Sequence, residues 1–360
     1  MEIIKHIFLP LLLALVLHSC NSHPAIVSGA PADTLALRYA QGFLVITHGS
    51  TIEVQIVDPW HEGRMLQQFT LEKPFRRAAI FTAANAALID ELGCLPSIAG
   101  VCEPQYIADS HILKALHDGS IQDLGSAMTP NLEALATLAP DAILLSPFEN
   151  ADGGKGLDRL GIPLIWCADY MESTALGRAE WMRLYGRLFG CGERADSLFA
   201  EIETCYMSMK AENDACSQGH RRPSVLFDGR NGSAWYMPGG QSTLAALTHD
   251  AGGTYLFADN EATGSVPYAF EEVYSRGHDA DIWLYRYTAS EPLTLDILRR
   301  QFEPYAQFKA FRTGKVYGCN NADNIFFQEY PSIPNGYSLI SPIYSQGTVP
   351  ISVIFITCNE

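Results

Sequence analysis

Six aromatic side chains, Tyr106, Phe148, Trp235, Tyr236, Tyr268 and Tyr287, fall in segments that read as loops at the ends of β-strands. Open α/β sheets hold ligands beyond the carboxyl ends of their strands, and aromatic walls suit a large, flat or partly apolar molecule. The chemistry on offer is non-covalent recognition. For any one ring, packing of its loop onto the protein body is an equal alternative; for all six together it is not. Bond-making constellations do not stand out. The sequence holds no Gly-x-Ser-x-Gly, no His-Glu-x-x-His, no P-loop and no Gly-x-Gly-x-x-Gly. Its 10 histidines are scattered, and His111 and His117 do not share a helical face, so no zinc set is legible. Gly239-Gly240-Gln241-Ser242 opens a helical stretch and could offer N–H groups to an anion, although a turn is the commoner explanation. No metal or cofactor is expected, and an enzyme is the weaker class.

The elements that must position these rings surround one helical block. Trp181, Leu184, Tyr185 and Leu188 recur at helical spacing, and Ala195, Leu198, Phe199, Ile202, Tyr206 and Met209 repeat it after Gly190-Cys191-Gly192. This predicts two helices with one apolar face each, capped by Ser173 or Thr174 and interrupted by the Gly-Cys-Gly. On either side, residues 77–166 and 222–318 alternate short strands with short helices, which is α/β patterning with mainly parallel sheets. A chain of 360 residues is long for one ordinary α/β core. The expected fold is therefore two α/β lobes joined by a long interlobe helix. A surface helix pair on one large domain is the alternative. Asn131-Leu-Glu133 leading to Pro140-Asp141-Ala-Ile-Leu-Leu matches Phe270-Glu271-Glu leading to Ala280-Asp281-Ile-Trp-Leu, a weak internal repeat. Residues 35–71 read as an N-terminal β extension.

The ends and the composition set the compartment. Lys5 and His6 precede an apolar run over residues 7–17, too short to span a bilayer and right for a signal-peptide core. Leu17-His18-Ser19-Cys20 resembles a bacterial lipobox, with His18 a departure, so Cys20 is the expected lipidation site. A net charge of −16 argues against nucleic acid and anionic lipid surfaces as partners. Eight further cysteines (94, 102, 167, 191, 205, 216, 319 and 358) include no Cys-x-x-Cys. Mostly free, buried thiols are expected.

Several segments in serial order resemble class III periplasmic binding proteins, which serve ABC importers of vitamin B12, ferric siderophores and haem. In the first lobe these are Arg77-Ala-Ala-Ile-Phe-Thr82, Leu92-Gly-Cys-Leu-Pro-Ser-Ile-Ala-Gly-Val, Leu124-Gly with Asn131-Leu-Glu-Ala-Leu, and Ala139-Pro-Asp-Ala-Ile-Leu-Leu. Ala175-Leu-Gly-Arg-Ala-Glu-Trp is similar to the interlobe helix of Bacteroidetes-type members. Trp235-Tyr-Met-Pro-Gly-Gly-Gln-Ser and Asp250-Ala-Gly-Gly resemble the second lobe. The resemblance spans about residues 77–320. It implies a monomeric, lipid-anchored periplasmic receptor with an ABC permease and ATPase as partners. A corrinoid, ferric siderophore or haem would lie between the lobes, with Thr82 joining the aromatics as a contact. Docking would use Glu133 and Glu271, one per lobe, with Glu272 as a possible substitute. A cationic chelate would call on Glu103, Glu149 and Asp169; haem would call on Tyr106 or Tyr236 as axial ligand. A metal-ion receptor of the same superfamily and an extracytoplasmic lipoprotein enzyme are the alternatives.

The segments so delimited are a signal and lipobox (1–20), tether and extension (21–76), first lobe (77–170), helical spine (171–214), second lobe (222–330) and an atypical tail (331–360). The tail lacks the amphipathic period of the helices that the resemblance implies. Shifted by two bases, degenerate codons for residues 349–359 permit Pro-Asp-Leu-Arg-Tyr-Phe-Tyr-His-Leu and a stop, an ending similar to the family's own. A frame change in the gene is the expectation. Resequencing should reveal it, and an unbroken, well-supported frame would overturn it.

Overall fold

The structure, a computed structural model, describes residues 34–147, 156–287, 289, 293–320 and 341–342. Cys20, Phe148, Glu149 and nearly all of the tail lie outside the described residues.

The N-terminal extension forms first in the chain. The strands Phe43–His48, Thr51–Val57 and Met65–Leu71 make an antiparallel meander. Phe43, Val45, Val54 and Ile56 alternate inward and are buried, as period-2 patterning requires. The chain enters this meander through residues 38–42, whose consecutive amides all end on two carboxylates. Glu180 accepts from Arg38, Tyr39 and Ala40 at 2.8–3.1 Å. Glu172 accepts from Gln41 and Gly42 at 2.8–3.2 Å and from the Trp181 indole at 2.8 Å. Both glutamates are buried. Burial raises the Glu172 carboxyl above its ordinary value, opposed by these donors. Unpaired, such groups would cost several kcal/mol.

The first lobe is a five-stranded parallel sheet in the order Leu164–Trp166, Ala142–Leu145, Ala78–Ile80, Ile98–Val101, Gln122–Asp123. Ala142–Leu145 is buried throughout, as strands covered on both faces by helices must be. At the free edge, the Gln67 side chain donates to Leu164 O at 2.5 Å and accepts from Trp166 N at 3.1 Å. One glutamine amide thus occupies the place of a neighbouring strand.

The spine is two helices. Thr174 caps Ala175–Phe189 by accepting from Gly177 N at 2.9 Å, and Gly190 ends it at φ +78°, a conformation that favours glycine. Gly192–Ser217 follows. A Cβ on Gly186 would lie 2.4 Å from that of Ala195, so the two helices touch where only glycine fits. One buried cluster runs from Phe43 and Ile56 through Ile80 and Leu88 to Trp181, Phe199 and Tyr206. The extension, first lobe and spine share that core.

The second lobe has its own core. Its main sheet is ordered Thr254–Tyr255, Ser224–Phe227, Ile282–Tyr287, Val316–Asn320, all parallel, with Ser341–Pro342 added antiparallel. Read from the opposite edge, this repeats the first lobe. The repeat extends to side chains. Asp141 N donates to Arg77 O at 2.7 Å while its carboxylate accepts from Arg77 N at 3.0 Å. Asp281 N donates to Ser224 O at 3.1 Å while its carboxylate accepts from Ser224 N at 2.8 Å. Each aspartate ties its own strand to the first strand of its lobe. The described fold is thus two α/β lobes with mainly parallel sheets, a helical spine and an N-terminal β extension.

One expectation is corrected. Trp235, Tyr236 and Tyr268 lie on strands rather than in loops, and Tyr287 ends the strand Ile282–Tyr287. Arg230–Asn231, Ala234–Pro238 and Ser265–Tyr268 form a separate antiparallel sheet, closed at Gly232-Ser233 with Gly232 at φ +63°. The Asn231-Gly232 pair is a hairpin signal.

Burial alone would raise the Asp281 carboxyl. Bonds from Arg221, Lys309 and Ser224 outweigh it and hold the group far below the usual carboxylate range. A depressed carboxyl contributes stability above its unfolded pKa and loses it as pH falls toward the folded one. Asp281→Asn should therefore cost about 1–3 kcal/mol at neutral pH, and the gap should narrow below about pH 4. Urea unfolding at both pH values checks this; a gap that does not change with pH would contradict it.

Candidate functional site

The carboxyl ends of the parallel strands are where this architecture can present a ligand site. In the second lobe they carry a recess of about 280 Å³ lined by Asp228, Gly229, Arg230, Asn231, Tyr236, Tyr285 and Arg286. Its base is fixed by two tryptophans. Trp235 Nε1 donates to Phe227 O at 2.8 Å and Trp283 Nε1 donates to Asp228 O at 2.7 Å. The two indoles stack, with centroids 5.5 Å apart. Together with Asp228 N on Leu284 O at 2.7 Å, they hold Asp228 in the left-handed region at φ 54°. For a residue with a Cβ this costs about 1–2 kcal/mol, and such strain gathers at functional sites.

The carboxylate so aimed is bound by Arg286 through two nitrogens, Nε at 2.7 Å to Oδ1 and Nη2 to Oδ2. Next to it, Arg230 lies 4.3 Å over the Phe302 ring and donates to Gly232 O at 3.1 Å. Its Nε is buried with no hydrogen-bond partner among the described residues. A buried donor left unpaired is costly. Two guanidiniums against one carboxylate leave the recess positive. Tyr285 forms one wall. Burial, and the Tyr305 hydroxyl beside it, push its phenol well up, so it stays a protonated donor. Gly229 makes room for that ring, since a Cβ there would meet Tyr285 Cε2 at 2.4 Å.

Of the residues singled out from sequence, Tyr236 lies on this recess and is 44% exposed. Trp235 does not: it is wholly enclosed in the second-lobe core, because adjacent strand residues face opposite ways. Tyr268 pairs directly with Trp235 and shares its face, packing 4.9 Å from Phe257. The Tyr287 hydroxyl accepts from Leu293 N at 3.3 Å. In the first lobe, Thr82 caps Ala83–Glu91 by accepting from Asn85 N at 3.4 Å. Tyr106, 47% exposed, lies in the turn after Ile98–Val101. Glu103, at φ 54° in the same turn, is engaged by Ser126 Oγ at 2.8 Å and Ala127 N at 2.9 Å. Asp169 accepts from the Tyr185 hydroxyl at 3.0 Å and pairs with Arg178 at 3.3 Å. Glu103 thus serves the first lobe's own structure, and Asp169 ties that lobe to the spine. Sequence reasoning passed over Asp228, Arg230 and Arg286. The signals were an Asp-Gly after an apolar strand and an arginine inside the otherwise apolar and aromatic strand Ile282–Tyr287.

Glu133 and Glu271 occupy matching places. Each is the second residue of its helix, Leu132–Leu138 and Phe270–Gly277. Each helix precedes the corresponding strand of its lobe, and both side chains are exposed. Glu272 pairs with Arg276 at 3.8 Å. Among the described residues one trio of potential metal ligands converges, Asp90, Asp109 and His111. It lies outside the recess. Asp109 there caps Ser110–His117, and Asp90 bonds the His111 ring at 2.8 Å.

Residues 79–322 match the family model of the periplasmic binding protein. An uncharacterized lipoprotein of Methanocaldococcus jannaschii is 26% identical over 74% of this chain and 65% of its own. A second from that organism is 26% identical over 59% and 56%. The chain thus spans under two thirds of the length of either. Among solved structures, a periplasmic haem-binding protein from Pseudomonas aeruginosa aligns with a TM-score of 0.60 at 15% identity, covering 76% of this chain and all of that one (100%). An ABC-type Fe3+-hydroxamate transport protein from Saccharomonospora viridis aligns at 0.57 and 19%, covering 78% and 98%. At these identities the likeness speaks for the fold. The family model, matching well over half of the chain, speaks for kinship: this protein belongs to the periplasmic binding protein family.

Proposed function

We propose that this protein is the extracytoplasmic, lipid-anchored receptor of an ABC importer and that it captures an iron chelate, a ferric siderophore or haem. The observation that carries the reading is the positive recess at the second lobe's strand ends. There a strained Asp228 orients Arg286, and the buried Nε of Arg230 awaits an acceptor. Such a surface suits a ligand rich in carboxylate or other oxygen acceptors. It disfavours a cationic chelate, since Glu103 and Asp169 are already engaged by neighbouring residues of this chain. Tyr236 and Tyr106 supply rings for a flat or partly apolar ligand body. The similar Fe3+-hydroxamate and haem-binding structures support the class, and a corrinoid is the second reading. Cys20 would carry the lipid, as the names of the relatives suggest. No helix among the described residues is long and apolar enough to cross a membrane.

The test is a thermal-shift and tryptophan-fluorescence titration of residues 21–360 with haem, ferric hydroxamates, ferric catecholates, cobalamin and divalent metals. A cognate ligand at 100-fold over its Kd should stabilise by about 2.7 kcal/mol. Arg230→Ala and Arg286→Ala should each weaken binding by about 1.5–3 kcal/mol. Binding of a corrinoid alone, or of a ligand indifferent to both arginines, would overturn the iron-chelate reading.

Glu133 and Glu271, in equivalent helices, are the proposed docking pair for arginines of the permease. Their shared position near a helix N-terminus also suits a dipole-capping role. Glu133→Ala and Glu271→Ala should leave ligand affinity unchanged. Each should weaken association with the reconstituted transporter by about 2–5 kcal/mol. Unchanged association would leave helix capping as their role.

A further inference from the structure

The sulfurs of Cys94 and Cys191 lie 2.7 Å apart, closer than two non-bonded sulfurs settle. Cys94 opens the turn Leu95–Ser97 just after the helix Ala83–Glu91 of the first lobe. Cys191 stands in the corner between the two spine helices. Both backbones are anchored. Cys94 N donates to Ile89 O at 2.9 Å and Cys191 N to Gly186 O at 2.7 Å. The Arg194 guanidinium beside them clamps Glu91 O at 2.9 and 2.7 Å. No carboxylate or imidazole joins the pair to make a metal site among the described residues. Both stand as thiols here.

We propose that Cys94 and Cys191 are a disulfide-forming pair that locks the first lobe to the spine. The expectation of mostly free, buried thiols named no such bridge. The half-buried Cys191 thiolate attacks one sulfur of an external disulfide donor and expels its partner as a thiol. The Cys94 thiolate then attacks the Cys191 sulfur of the mixed disulfide and expels the second thiol. Two electrons pass to the donor, and the two protons lost by the cysteines end on its thiols. In the cell this rests on the extracytoplasmic reading, which supplies an oxidising compartment. The pair's geometry does not depend on that reading. Burial, then the Cys94 thiol, pushes Cys191 up to about 12, so the bridge should form most readily before the helices pack.

The bridge has a mechanical sense. The first lobe and spine already share a core, and cross-linking them confines relative motion to the other end of the spine. There the second lobe touches that core through Leu247 and is fastened by polar bonds as well. Asp250 accepts from the Tyr206 hydroxyl at 2.6 Å and pairs with Lys210. Thr243 Oγ1 donates to Glu172 O at 2.7 Å.

The test is independent of export. Reduced, purified full chain is refolded in glutathione buffers from fully reduced to fully oxidised, alkylated in denaturant and digested with trypsin without reduction. A linked species of residues 78–114 and 188–194 should accumulate, with fragmentation placing the bond on Cys94 rather than Cys102. Cys191→Ser should abolish it. Reducing the wild type should lower Tm by about 5 °C or more, and should not change that of the Cys94→Ala/Cys191→Ala double variant. Full alkylation of both cysteines after refolding in oxidised glutathione, or a bond through Cys102, would overturn the proposal. Ligand binding by the bridged protein is a separate readout, so loss of the receptor reading would leave this result standing.

Discussion

Five consecutive amides ending on two buried carboxylates hold this molecule's first half together. Glu172 and Glu180 lie on or beside the first spine helix, and residues 38–42 have no secondary structure of their own to satisfy their N–H groups. Without that docking, five amides would lose their acceptors and the meander would keep only its apolar contacts with the spine. Trp181 would then lose both its hydrogen bond to Glu172 and its edge contact with Phe43, 5.0 Å between centroids. The carboxylates tolerate burial only because every neighbouring donor is aimed at them. The arrangement is therefore cooperative: the extension needs the glutamates and the glutamates need the extension.

The two lobes are built alike and held differently. Both tie their central strands through an aspartate, Asp141 or Asp281, and both place a helix with an early glutamate before it. The first lobe continues into the extension and spine as one apolar body. The second keeps a separate core rich in packed rings and meets the spine through hydrogen bonds, ion pairs and the side chain of Leu247. Polar contacts can be exchanged with water more readily than apolar core can be opened. That junction, with its smaller apolar contact, is the weaker of the two, and Trp235 and Trp283 brace the recess at Asp228 from within.

Much of the architecture was legible. Ile98–Val101, Ala142–Leu145, Leu164–Trp166 and Ser224–Phe227 stand where apolar runs between turn residues put them. Thr174 and Gly190 bound the first spine helix as cap and stop. The site was read less well. Trp235 looked like a loop aromatic because Gly and Pro flank it, yet burial of its ring is what the strand exists to achieve. Tyr236, its neighbour, faces outward, and only the pairing with Pro267 reveals which of the two does. Arg230 and Arg286 were passed over because a lone arginine in a chain of −16 net charge carries no local pattern. Their convergence depends on two distant strand ends. The Cys94–Cys191 proximity likewise spans 97 positions and has no local signature.

The Gln67 amide at Leu164–Trp166 has a counterpart in the second lobe. The edge it covers corresponds, in the repeat, to Val316–Asn320, which is covered by Ser341–Pro342. Each duplicated unit thus leaves the same strand open and relies on chain from outside the repeat to close it. A bare strand edge is a template for joining another chain. Cut at its lobe boundaries, either half would present a sticky flank and would tend to polymerise edge to edge. In the whole protein, one side chain covers that edge of the first sheet and a two-residue strand covers it in the second.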